Sequence, residues 1–124
     1  MDKSERLKYL ASIYKLVVAD GDVAKDEEKA FEQITKDIGG EYFDRISAVN
    51  MAKKSEFEVW VPARYSDRVR IIEDMLYMAI ADQKLRTPEK EILSAFAREI
   101  GVSKKLFSEL QKEVKARFTQ DKGL

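Results

Sequence analysis

The sequence predicts an all-α fold, a single-domain bundle of about six helices built as two related repeats. Three observations predict it. The chain repeats itself at a constant offset of 62 residues, its apolar residues recur at helical spacing, and glycine or capping residues fall where each apolar stripe stops. Ser4-Glu5-Arg6-Leu7 returns as Ser66-Asp67-Arg68-Val69, Ala19-Asp20 as Ala81-Asp82, Glu27 as Glu89, and Ile38-Gly39 as Ile100-Gly101. Apolar positions pair at the same offset, Leu10 with Ile72, Ile13 with Met75, Phe31 with Leu93 and Ile34 with Phe96, without a gap. One unit of this size is too small to bury its own apolar face, so two copies must share a core. The expected division is repeat 1 over about 4–54, a linker over 55–65 and repeat 2 over about 66–118, the halves packed about a pseudo-twofold axis.

Each element follows from local chemistry. Ser4 is the expected N-cap of a first helix carrying Leu7, Leu10, Ile13, Tyr14, Val17 and Val18, a stripe wide enough for a central helix. Asp20-Gly21 ends it, since glycine reaches the left-handed conformation that closes helices. A second helix opens near Lys25-Asp26 with acids in its first turn and buries Phe31, Ile34 and Ile38 before Gly39-Gly40. Tyr42, Ile46 and Val49 mark a third, ending near Lys53-Lys54. Residues 55–65 alternate Phe57, Val59 and Val61 with Glu56, Glu58 and Trp60. A strand there has no partner, so an extended segment lying on the bundle is expected. Ser66 should cap a fourth helix, with Val69, Ile72, Leu76 and Ala79 inward. Thr87-Pro88-Glu89 should start a fifth, with Thr87 as N-cap, and Gly101 should end it. Ser103 should cap the last, with Phe107, Leu110, Val114 and Phe118 inward and the chain fraying from Thr119.

Composition narrows the chemistry. The 124 residues hold 44% apolar residues, enough for one real core, and 23 basic residues balance 23 acidic ones. Such a balance argues against nucleic-acid binding, which draws on an excess of cations. With no Cys and no His, zinc, iron–sulfur and copper sites, thiol nucleophiles and histidine general bases are excluded. Only oxygen-ligand cations such as Ca²⁺ or Mg²⁺ remain. Met1 to Arg6 is not a signal peptide, no run approaches a membrane span, and a cytoplasmic location is expected.

The acidic turn is the most specific local feature. Asp20, Asp22, Asp26, Glu27 and Glu28 place five carboxylates within nine residues, opposed only by Lys25. Two physical readings fit. In one, Asp20, Asp22, Asp26 and Glu27, joined by Asp82 and Glu89 of the second copy, are neutralised by a divalent cation. In the other, Asp20 bonds across the turn, Gly21 supplies positive φ, and the acids answer the dipole of the next helix. Lys84 and Arg86 bring positive charge into the second copy, which favours caps there. An EF-hand does not fit, because its first and third ligand positions would fall on Leu16 and Val18.

Ala19-Asp20-Gly21, Val23 and Glu27 resemble the A-D-G-x-(V/I)-x-x-x-E turn of the TerB-like family, whose signature occurs twice. The second copy keeps Asp82 and Glu89 but has Gln83 in place of glycine. The family takes its name from a tellurite-resistance protein, and related domains begin DjlA-type membrane-anchored DnaJ-like proteins. The resemblance covers about residues 4–118. It implies an all-α fold with pseudo-twofold halves, a role in stress-linked gene clusters alongside calcium-binding partner proteins, and acidic residues suggested as a divalent-metal site.

The expected function is a non-enzymatic interaction domain with protein partners. Tyr42, Phe57, Trp60 and Tyr65 are the candidate partner-binding residues, since Trp and Tyr dominate binding hot spots. Such residues also commonly seal a linker onto a core. The basic residues of the last helix, interleaved with Glu109 and Glu113, read as a solvated face. Two other classes stand beside this one. One is a purely structural or homodimeric module; the other is a Mg²⁺-dependent phosphohydrolase with Lys25 or Arg86 as phosphate clamp.

Overall fold

A computed structural model describes residues 1–18, 23–81 and 85–121 of the chain. Six helices follow one another: α1 Lys3–Val17, α2 Lys25–Asp37, α3 Tyr42–Ala52, α4 Tyr65–Ile80, α5 Thr87–Glu99 and α6 Lys104–Asp121. Among the described residues there is no strand. Helices α1 and α4 form the centre. Tyr9 to Ile13 are buried in one unbroken run, more than a full turn, so α1 meets neighbours on every side there. Helix α4 buries Ile71, Ile72, Met75, Leu76 and Met78 to Ile80. The two pack on each other; α3 covers α1 as α6 covers α4, α5 reaches α1 as α2 reaches α4, and α2 meets α3 as α5 meets α6.

Two of the helices match in length and in how they end. Helices α2 and α5 are each 13 residues long and correspond at the 62-residue offset from first residue to last. They also end alike. Gly39 and Gly101 sit at φ +81° and +88°, and Gly40 N–H and Val102 N–H each donate to a carbonyl five residues back at 2.8 Å. A Cβ on Gly39 or Gly101 would meet nothing within 4 Å, so the left-handed backbone, not lack of space, calls for glycine.

Three helix starts differ from those expected, for one physical reason. The N-cap of α1 is Asp2, not Ser4: its carboxylate accepts from Glu5 N–H at 2.8 Å, and Glu5 accepts from Asp2 N–H at 3.1 Å. This reciprocal box satisfies two free donors at once, which Ser4, with Leu7 three residues on, could not do. Helix α4 is capped by Arg64 rather than Ser66, and α5 by Arg86 rather than Thr87, neither through a side-chain bond. In both, an acid (Asp67 or Glu89) is the third helical residue, where the helix dipole favours it. Ser103 does cap α6, accepting from Leu106 N–H at 3.1 Å, and α6 continues past Thr119 to Asp121.

The linker lies along α1. Trp60 N–H donates to the fully buried Ser12 hydroxyl at 2.7 Å. The Lys15 ammonium donates to the Phe57 carbonyl and stands 5.5 Å from the centre of the Phe57 ring. Side chains of α1 thus supply the partners that a neighbouring strand would otherwise give. Phe57, Val59 and Trp60 pack half-buried against the core, while Val61 and Tyr65 stay exposed.

Candidate functional site

A groove of about 400 Å³ opens where α1, α2, α3 and α4 converge. Its floor is apolar and buried: Phe31 and Met78 belong to the core. Tyr14, Val23, Ile46 and Val49 form the walls, and Glu28, Tyr42, Arg45 and Asn50 the rim. The spacing of α3 makes this possible, because Tyr42, Arg45, Ile46, Val49 and Asn50 share one face at three- and four-residue steps. The Tyr14 and Phe31 rings lie 5.6 Å apart at 55°. Volume and lining both fall within the range of binding sites, an apolar cleft with a few polar groups at its edge.

The groove's outer lip carries large apolar surface into solvent. Tyr42 is 61% exposed, Phe43 75% and Ile46 39%. Tyr42 and Phe43 meet edge to face at 5.6 Å. Of the charges at the rim, Arg45 is already engaged: its guanidinium lies 5.3 Å from the Tyr42 ring centre and 3.7 Å from Glu32. Glu28 makes no ion pair among the described residues. Burial, and then the negative charge of Glu28, hold the Tyr14 hydroxyl above the usual phenol range.

Of the four aromatic candidates, Tyr42 alone lines this groove. Phe57 and Trp60 are half-buried in the seat of the linker. Tyr65 stands exposed at the start of α4, its ring centre 5.9 Å from the Arg68 guanidinium. Tyr14, Phe31, Ile46 and Val49 were invisible as site residues because each reads as an ordinary core position of its own helix. The signal that could have found the lip is the run Tyr42, Phe43 and Ile46 at the head of a helix whose buried face is otherwise set by the small residues Ala48 and Ala52.

Among the acidic candidates, Asp20, Asp22 and Asp82 lie outside the described residues. Glu27 is the third residue of α2 and accepts from Ala24 N–H at 3.0 Å. Glu89 holds the corresponding place in α5. An acid occupies this third position in each of the first five helices (Glu5, Glu27, Asp44, Asp67 and Glu89), and Asp44 likewise accepts from Glu41 N–H at 2.8 Å. Asp26 is exposed and lines a second groove of about 380 Å³ with Lys29, Tyr77 and Phe118. Among the described residues, no three acidic groups are placed to hold a metal ion.

One further polar pair sits at the α1–α4 crossing. Tyr9, fully buried, donates its hydroxyl to Asp74 at 2.5 Å, and Arg70 Nε lies 4.0 Å from the same carboxylate oxygen. Burial pushes the Asp74 carboxyl up to about 6, with the Tyr9 hydrogen bond and Arg70 holding it down in part. Burial and the Asp74 charge likewise push the Tyr9 hydroxyl above its ordinary range. Asp74 occupies the position equivalent to Ser12 in the other repeat, so both central helices carry a polar acceptor at that site.

The family model described as "Tellurite resistance protein TerB" matches residues 6–112. No curated protein and no solved structure matches the chain significantly. No helix of the described residues is long and apolar enough to cross a membrane.

Proposed function

The chain belongs to the family of the tellurite resistance protein TerB, and on that footing we propose that it is a non-enzymatic interaction domain of a bacterial-type stress or envelope-associated assembly. It works in the cytoplasm and receives a protein partner at the groove bordered by α3. The observation that carries this reading is the exposed apolar surface of Tyr42 and Ile46 at the edge of a cleft with a buried apolar floor, extended by Phe43 against the Tyr42 ring. The groove's chemistry supports binding over turnover. A tyrosine with a raised pKa is no base near neutral pH, and Arg45 is already engaged.

Replacing Tyr42 and Phe43 together by serine tests the proposal, since both side chains are mostly exposed and the fold does not rest on them. Gel filtration of cell extracts should move the protein from a complex to its free size. The unfolding free energy should stay within about 0.5 kcal/mol per site. Unchanged elution of the variant would overturn the reading.

A divalent cation at the first acidic turn is a second reading, favoured by the five carboxylates of residues 20–28. Titrating ¹⁵N-labelled, metal-free protein with Ca²⁺ and then Mg²⁺ tests it, with the Gly21 amide as reporter. Saturable shifts confined to residues 20–28, with or without 82–89, are expected of a cation site. Scattered, unsaturated shifts would assign these carboxylates to helix capping alone.

A further inference from the structure

Resting on the interaction reading, we infer that the groove is built for a basic amphipathic segment of its partner, an apolar side chain seated on Phe31 and Met78 with a neighbouring Lys or Arg paired to Glu28. Charge complementarity carries the inference. The rim holds one cation and one anion, and only the cation is answered within the protein. Arg45 is shared between Glu32 at 3.7 Å and the Tyr42 ring at 5.3 Å. Glu28 has no ion-pair partner among the described residues, although two lysines lie close to it in sequence. Lys29 lines the second groove, between α2, α4 and α6, and Lys25 is exposed at the helix start.

The surroundings of Glu28 suit a long cationic side chain. Glu28 and the half-buried Tyr14 both line the groove. An ammonium or guanidinium placed there can donate to the Glu28 carboxylate. Its methylene stem would run over the Tyr14 and Phe31 rings, which provide the apolar surface and the negative ring faces that lysine and arginine prefer. An acidic or neutral segment would fill the apolar floor equally well but leave Glu28 facing like charge or nothing. A basic one matches both features, as when an amphipathic helix lays its apolar face into a groove.

The test uses two synthetic amphipathic helical peptides, alike except that every Lys of one is Glu in the other. Each is titrated into the ¹⁵N-labelled full chain. The Lys peptide should shift the amides of Phe31, Ile46 and Val49 saturably and bind about tenfold tighter than the Glu peptide. Glu28→Gln should remove most of that preference, and Glu28→Lys should reverse it. Because Glu28 is exposed, neither variant endangers the fold. Tyr42→Ala should weaken both peptides alike. If both peptides occupy the groove with equal affinity, or Glu28→Gln keeps the preference, the charge inference falls while the interaction reading stands. A footprint outside the groove, or no saturable shift with either peptide, overturns the inference and counts against the interaction reading as well.

Discussion

Asp74→Asn should stabilise the protein at about pH 8 and remove one component of its pH dependence between about pH 4 and 7. In the folded chain the Asp74 carboxyl is pushed up to about 6, against 3.8 for an ordinary aspartate, because it lies almost out of water between α1 and α4. Folding therefore favours the protonated form. The stability owed to this group is complete below about pH 4 and is lost as pH rises through about 6. The groups that face it are the Tyr9 hydroxyl from α1, Arg70 and Glu73 from its own helix, and Asp37 at the end of α2. Asparagine keeps an acceptor oxygen for Tyr9 and never ionises.

The gap between variant and parent should widen by about 3 kcal/mol from about pH 4 to about pH 8, each pKa unit being worth about 1.4 kcal/mol. Urea unfolding at several pH values reads it directly. Tyr9→Phe should act in the opposite sense. It removes the hydrogen bond that favours the carboxylate, so its cost, about 1–3 kcal/mol, should be larger at pH 8 than at pH 5. Parallel stability curves for parent and Asp74→Asn would show that Asp74 is solvated like a surface acid.

Leu10→Ala should cost about 2–5 kcal/mol, a large share of the ~5–15 kcal/mol that holds a domain of this kind together. Leu10 has no exposed surface, and α1 is enclosed by α3, α4 and α5, so the cavity left behind can collapse only in part. Ile72, the equivalent residue on α4, is also fully buried, and Ile72→Ala should fall in the same range. Ile92→Ala, at a site 43% exposed on α5, is the control and should stay within about 0.5 kcal/mol. Denaturation midpoints shifted alike by all three variants would contradict a core centred on α1 and α4.

What the sequence made legible, and what it did not, follows from how local each feature is. Helices α2 and α5 could be bounded closely because acids open them, Gly39 and Gly101 close them, and each end repeats at one offset. Hydroxyl caps place the starts of α1 and α4 late, at Ser4 and Ser66 instead of Asp2 and Arg64, and that of α5 at Thr87 next to its true cap Arg86; the acid at the third helical position marks all three. The linker was legible from its period-two alternation together with the lack of any strand to pair with. The groove was not, because it is assembled from residues as far apart as Tyr14 and Met78. Each of these is, within its own helix, indistinguishable from core. Glu28 looked like one more acid answering a helix dipole. Nothing local to Asp74 announces its burial, which comes from a contact with Tyr9, 65 residues away in sequence. The place of Asp74 beside Glu73, between Ile72 and Met75 on a central helix, was the available hint.

The most direct test of the groove as an interaction surface is photo-crosslinking in cells that carry the protein. A photoreactive amino acid replaces Phe43 on the lip or, as control, Lys112 on α6, an exposed residue remote from the groove lining. A discrete protein adduct from position 43 and none from position 112 is the expected result. The same adducts from both positions, or an adduct from position 112 alone, would contradict it.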